Sequence, residues 1–168
     1  RNYQDKVLFK SDEVTNPQEK VLDPRVAFLL IDVLKDNIAR SPAFGSNSML
    51  VIPNHPEVAV KTGTSNDLKD NLTIGFNKDY LTAVWVGNND GSSMSRIASG
   101  ITGAAPIWNK IMRTLLTDKL SVAWDIPKGL VYKECFSRNE WFLEEKQLAC
   151  PKIIEPAASV VNTQISVQ

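Results

Sequence analysis

Apolar residues recur along this chain with two different periods, and each period predicts an element. In "LDPRVAFLLIDVLKDNIAR", residues 22–40, Val26, Leu30, Val33, Leu34 and Ile38 fall at helical spacing. Asp23 supplies an oxygen for the first turn, and Pro24 suits a position with no intrahelical bond to lose, so one helix is expected to begin there. Residues 41–55 are rich in Ser, Pro, Gly and Asn and read as a loop. The pattern then shortens. Val58–Ser65, Leu72–Asn77 and Tyr80–Asn88 each read as a strand, and the polar Asn77-Lys78-Asp79 joins the last two as an antiparallel hairpin. After a Gly/Ser-rich stretch, "TGAAPIWNKIMRTLL" predicts a second helix, with Pro106 near its start and Trp108, Ile111, Met112 and Leu115 on one face. Antiparallel strands bracketed by helices point to an α+β sandwich.

From about Thr117 the character changes. "IPKGLVYKECFSRNEWFLEEKQLACPKIIEP" carries short strand-like runs, prolines and both cysteines. This divides the chain into residues 1–117 and a small extension, 118–168. The last residues, "ASVVNTQISVQ", are polar and expected to fray. No internal repeat is present.

Composition narrows the function classes. The 168 residues are 43% hydrophobic and 23% charged, the proportions of an ordinary globular protein of one domain plus an appendage. A formal net charge of +0 removes the electrostatic case for nucleic acid or an anionic membrane surface as partner. The longest apolar run, "VAFLLIDVL", is short and interrupted by Asp32, so no membrane span is expected. The chain begins "RNYQDK" without Met and without a signal peptide, and is expected to be a piece of a longer protein. Neither Cys135 nor Cys150 belongs to a Cys/His ligand pattern, and the single histidine, His55, lies far from both. No metal and no other cofactor is therefore expected. His55, set among prolines in "PNHPE", reads as an exposed loop residue with no role.

Chemistry concentrates in "PEVAVKTGTSNDLKDN", residues 56–71, where an apolar run turns polar at Lys61. At the end of a strand, Gly63 removes a side chain and lets another backbone come close. The strand's own amide groups can pair with an extended peptide. Thr62 and Thr64 offer hydroxyls suited to a carboxylate, Lys61 adds positive charge beside it, and a backbone N–H can stabilise an oxyanion during acyl transfer. The plainer alternative is a solvated lysine followed by a Thr-Gly turn.

Context favours the first reading. K-T-G is the third element of the serine acyl-transferase set, with S-x-x-K and S-x-N. The segments "VLDPRVAFLLIDVL", "ARSPAFGSNS", "VAVKTGTSNDLKDN", "IGFNKDYLTAVWVGNNDG" and "ASGITGAAPIWNKIM" run in unbroken order over about residues 21–113. Together they resemble the C-terminal part of the transpeptidase domain of the class A, bifunctional penicillin-binding proteins. The fold implied is part of a penicillin-binding-protein/β-lactamase-like sandwich. The resemblance implies that Lys61 helps activate a serine and that Thr62, Gly63 and Thr64 form a substrate-binding wall. Thr62 and Thr64 would hold the terminal carboxylate of a D-alanyl-D-alanine stem peptide or a β-lactam, and the backbone N–H of Thr64 would form half of the oxyanion hole. Asp67, Asp70 and Asn71 are expected to fix the following turn, Trp85 to pack within a core strand, and the small residues of "GAAPIW" to permit close approach of the helix.

The chain also departs from the family. Neither S-x-x-K nor S-x-N precedes Lys61; Ser46-Asn47-Ser48 has the wrong order, and Ser137-Arg138-Asn139 follows the motif. The nucleophile, with S-x-x-K and S-x-N, is expected in the remainder of the transpeptidase domain, and the isolated chain is expected to be inactive. The resemblance places the protein on the extracytoplasmic face of the bacterial membrane, anchored by parts of the parent outside this chain. In that setting Cys135 and Cys150 are expected to form a disulfide. Two rival readings remain: a D,D-carboxypeptidase or β-lactamase, in which water takes the acyl group, and a non-catalytic wall-binding fragment.

Overall fold

The first helical run breaks in two at an aspartate. The computed structural model describes residues 21–94, 101–135 and 138–146. Helix α1 spans Pro24–Lys35, and the Asp23 side chain accepts from the Arg25 N–H at 2.9 Å. At Asp36 the backbone turns extended (φ −69°, ψ 94°), and its carboxylate accepts from the Ala39 N–H at 2.9 Å. That cap starts a second helix, α2, over Asn37–Phe44. The single helix expected to Arg40 is thus corrected, as is the loop assignment of residues 41–44. An aspartate that bonds the backbone ahead of it offers the chain an alternative to continuing the helix.

The apolar stripe expected on that helix is also not buried as a unit. Phe28 is the buried residue of α1, whereas Leu30, Val33 and Ile38 are 53%, 72% and 80% exposed. No described element covers them.

Three antiparallel strands follow in the order β1-β2-β3: β1 Ala59–Thr64, β2 Asp70–Phe76 and β3 Leu81–Gly87. The turn between β2 and β3 is closed by Asn77, whose Oδ1 accepts from the N–H groups of Asp79 and Tyr80 at 3.1 and 2.8 Å. Helix α3, Ala104–Leu115, lies across β2 and β3. Ala104, Ala105, Trp108 and Met112 are fully enclosed, and Leu50, Ile52, Val58, Val60, Val84 and Leu116 complete that core. Its inward face therefore turns through Trp108, Asn109, Met112 and Leu116, and Ile111, expected inside, is 39% exposed. Gly75 makes the close approach possible: a Cβ there would overlap the Trp108 ring and come within 2.9 Å of the Ala59 carbonyl oxygen.

Register assigns the sheet's two faces. Thr64, Thr62 and Val60 pair with Asn71, Thr73 and Gly75, and these share a face with Val86, Val84 and Thr82, the face that α3 covers. Lys61 and Gly63 pair with Ile74 and Leu72 on the opposite face, with Ala83 and Trp85 beyond. That side is closed at Ala59, 0% exposed, but open towards β3, where Leu81 and Trp85 are 70% and 54% exposed. The expectation that Trp85 packs in a core is corrected, because alternation directs it away from α3. Its ring lies instead over Gly87, where a Cβ would stand 2.6 Å from Trp85 Cζ2.

Beyond α3 the chain returns to the first layer. A two-stranded hairpin, β4 Leu130–Cys135 and β5 Arg138–Leu143, docks on α1. There Trp141 meets Phe28 edge-to-face at 5.5 Å, Arg25 Nη1 donates to Glu145 Oε2 at 2.9 Å, and Arg138 Nη2 donates to Asp36 Oδ2 at 2.8 Å. Solvated ion pairs contribute about 0–1 kcal/mol each, so the aromatic contact dominates this docking. Cys135 is buried at the end of β4, whereas Cys150 and the polar C-terminal residues lie outside the described residues. The architecture is α+β, as the periodicity predicts. Among the described residues no helix is long and apolar enough to cross a membrane.

Gly75→Ala should therefore destabilise the chain. Overpacking a filled core costs about 1–3 kcal/mol, and both Trp108 and the β1 backbone resist displacement. Urea denaturation followed by tryptophan fluorescence should show the loss; an unchanged midpoint would mean that Trp108 does not lie against the strand.

Candidate active-site strand

β1 enters the sheet buried and leaves it exposed. Val58, Ala59 and Val60 are 3%, 0% and 4% exposed, and the strand then presents Lys61, Gly63 and Thr64 to solvent with Thr62 half-buried. Its apolar half is clamped between α1, which packs along β1, and the core beneath α3. Its polar half forms an edge, since among the described residues β1 pairs within the sheet only with β2. A Cβ built on Gly63 would meet nothing within 4 Å. The glycine thus answers to no neighbour among the described residues, unlike Gly75.

The structure brings Lys61, Thr62, Gly63 and Thr64 together on that edge. They leave the strand alternately: the threonines lie on the α3 face and Lys61 on the open face, so any group bridging them must sit at the edge itself. The Lys61 ammonium bends back to donate to the Thr62 carbonyl. Edge amides, two hydroxyls and a cation can bind an extended peptide ending in a carboxylate and polarise a carbonyl placed against the strand.

The turn after the motif is fixed mainly by Ser65. Its backbone N–H donates to the Asp70 carbonyl at 3.0 Å, and its Oγ accepts from the Asp70 N–H at 3.0 Å. Asp67 takes positive φ (61°) within it, the left-handed conformation that Asp tolerates better than most residues. Asn71 does something else. It is 1% exposed, stands opposite Thr64 in the register, and its Oδ1 accepts from the Ala104 N–H at 2.8 Å. It therefore caps α3 from the neighbouring strand, where Gly103 provides no side-chain cap. A Cβ on Gly103 would come within 2.6 Å of Asn71 Nδ2, so the glycine leaves room for the amide.

His55 is a second correction. It is 7% exposed, and its Nδ1 lies 2.8 Å from Glu57 Oε1. Glu57, 4% exposed, accepts from Ser121 Oγ at 2.6 Å through Oε2, and its carbonyl accepts from Trp124 Nε1 at 2.7 Å. This buried network ties the segment after α3 to the residues that launch β1. Trp124 also meets Phe76 edge-to-face at 5.9 Å. Sequence reasoning missed the network because its members are 64 and 67 residues apart. The one available signal was a carboxylate two residues from a histidine, ahead of a buried strand.

No family model matches the chain. It is 31% identical to penicillin-binding protein 1A of Neisseria meningitidis over 149 residues, which is 89% of this chain and 17% of that protein. It is 36% identical to penicillin-binding protein 1A of Pseudomonas aeruginosa over 115 residues, 68% of this chain and 14% of that protein. The fold resembles part of the crystal structure of penicillin-binding protein 1A from Haemophilus influenzae. There the TM-score is 0.64 at 24% identity, over 73% of this chain and 21% of the other. The chain thus spans less than a fifth of the length of these curated relatives.

Burial opposes ionisation of Glu57, but the hydrogen bonds from Ser121 and His55 outweigh it and hold the carboxyl below its ordinary value. A carboxyl lowered in the native state stabilises the fold fully above the unfolded value, 4.5, and loses that contribution as pH falls through the native one. Glu57→Gln should lower the thermal midpoint at pH 7, with the gap to the unchanged protein narrowing below about pH 4.5. Parallel midpoint-versus-pH curves for the two proteins would contradict the assignment.

Proposed function

The chain belongs to the penicillin-binding protein 1A family, and on that premise we propose that it supplies one wall of a serine D,D-transpeptidase site. The observation that carries the proposal is the edge placement of Lys61–Thr64, with open space over Gly63, at the end of a strand whose other half is buried. The nucleophilic serine, with S-x-x-K and S-x-N, belongs to the remainder of the transpeptidase domain.

In this reading the stem peptide lies along β1 as an added strand. Thr62 and Thr64 hold the carboxylate of the terminal D-alanine, and Lys61 supplies charge to the site and helps activate the serine. The serine Oγ attacks the penultimate carbonyl, and the Thr64 N–H donates to the oxyanion that forms. Collapse of that intermediate breaks the amide bond and releases D-alanine, leaving a serine ester. The amine of a second stem peptide then attacks the ester, forming the cross-link and freeing the serine. A β-lactam enters by the same first step. Water in place of the amine would give the D,D-carboxypeptidase or β-lactamase outcome.

The open face of the sheet supports a site completed by more protein. Leu81 and Trp85 there, with Leu30 and Val33 on α1, form apolar surface of the kind that other parts of a domain cover. The proposal divides the chain into residues 1–117, the end of the transpeptidase domain, and 118–168, a small extension. It places both on the extracytoplasmic side of a bacterial membrane to which the parent is anchored. A Cys135–Cys150 bridge belongs to the same proposal and would contribute about 3 kcal/mol in the chain-entropy model. Intact mass with alkylation before and after reduction tests it, and two free thiols in the oxidised protein would exclude it.

In the parent enzyme, Lys61→Ala should strongly reduce covalent labelling by a fluorescent penicillin while the protein stays folded. The isolated chain should take no label that survives denaturing electrophoresis. Ordinary labelling of the folded variant would remove Lys61 from the mechanism, and labelling of the isolated chain would overturn the division of the site.

A further inference from the structure

A groove of about 650 Å³ opens between the last turns of α3 and residues 52–55, the segment that leads towards β1. Its floor is apolar and fixed: Ile52 and Leu116 are 5% and 4% exposed. Asn109 clamps the facing loop to the helix, its Nδ2 donating to the carbonyls of Met49 and Val51 at 3.0 and 2.9 Å. The groove therefore exists before any ligand arrives.

Three cations line it: Lys110, Arg113 and Lys119. Lys110 and Arg113 are one turn apart on the same helix face. None of the three has a salt bridge among the described residues. Asp118 is the one carboxylate in the lining. His55 adds a buried imidazole, and with Nδ1 engaged by Glu57, Nε2 is its remaining polar atom. The cations are not required to satisfy the helix end. The carbonyls of Met112 and Thr114 take the N–H groups of Leu116 and Thr117, and those of Lys110 and Arg113 take the hydroxyls of Thr114 and Thr117.

We propose that this groove is a binding site for a phosphate-type oxyanion, separate from the β1 edge. Lysine and arginine side chains lining a preformed cavity can make charge-assisted hydrogen bonds to such a group, as carried by a soluble diphosphate or by the headgroup of an anionic phospholipid. The site does not depend on the transpeptidase reading, since it uses none of Lys61–Thr64.

Titration of the 168-residue chain with inorganic pyrophosphate, followed by calorimetry, tests this directly. Saturable binding at one site per chain is expected. A Lys110→Gln/Arg113→Gln variant should weaken it by about tenfold or more, since each lost bond to a charged group is worth roughly a tenfold factor or more. Lys133→Gln, on the hairpin, should change nothing. Sedimentation with phosphatidylglycerol vesicles, against phosphatidylcholine alone, then separates a lipid headgroup from a soluble phosphate as the source. Retention by the anionic vesicles that the double variant loses assigns the lipid; pyrophosphate binding without retention assigns a soluble phosphate. Absence of saturable pyrophosphate binding, equal loss in Lys133→Gln, or vesicle retention without pyrophosphate binding would each overturn the proposal.

Discussion

The buried amide of Asn71 is the constraint on which the placement of the candidate site depends. Helix α3 begins at Ala104 with a glycine before it and no cap from its own flank. Its first N–H is satisfied from the sheet, by Asn71 Oδ1 at 2.8 Å. A buried helix terminus without a partner would carry the full desolvation cost of the orphaned group, about 1–3 kcal/mol. Because Asn71 stands opposite Thr64, one hydrogen bond fixes both the helix start and the strand position that faces the motif's last residue. Trp108 then sets the depth, one helical turn on, by lying on the bare backbone at Gly75. The sheet cannot slide under α3 without losing both.

With that frame set, β1 can be two things along its length. Its first half is core, enclosed by α1 and by residues packed beneath α3; its second half projects past that enclosure. The Glu57 network strengthens the division, since it anchors the residues before the strand to Ser121 and Trp124. An edge rigid at one end and open at the other is what strand addition needs: the ordering cost of the protein side has already been met by the fold. Level with that open end, Trp85, in register with Gly63 through Leu72, is 54% exposed, so uncovered apolar surface lies beside the polar half of the strand.

Much of this was legible in the residues because local chemistry decides it. Asp23-Pro24 fixes the start of α1, Asn77 closes the β2–β3 turn through its own side chain, and the switch at Lys61 marks where β1 leaves the core. What was not legible depends on partners distant in sequence. Asp36 could equally have continued a helix, and only its bond to Ala39 shows that it starts a new one. Asn71 reads as a turn residue until α3 arrives at its side chain, and His55 reads as solvent-exposed until Glu57 and the segment after α3 enclose it. The apolar periodicity of α1 was real, but periodicity states which side is apolar and not what lies against it; Leu30 and Val33 have no described neighbour to bury them.

The central claim is that the hydroxyls at the end of β1 recognise a carboxylate, and one comparison isolates it. Thr64→Val keeps the strand's shape and its backbone N–H while removing a single hydroxyl. In the parent enzyme the acylation rate with a β-lactam should fall about tenfold or more, since a hydrogen bond to a charged group contributes roughly 1.5–3 kcal/mol. With the same β-lactam esterified at its carboxylate, variant and unaltered enzyme should react at nearly equal rates, and their thermal midpoints should coincide. An equal effect of the substitution on both forms of the drug would make Thr64 a structural residue and contradict the account.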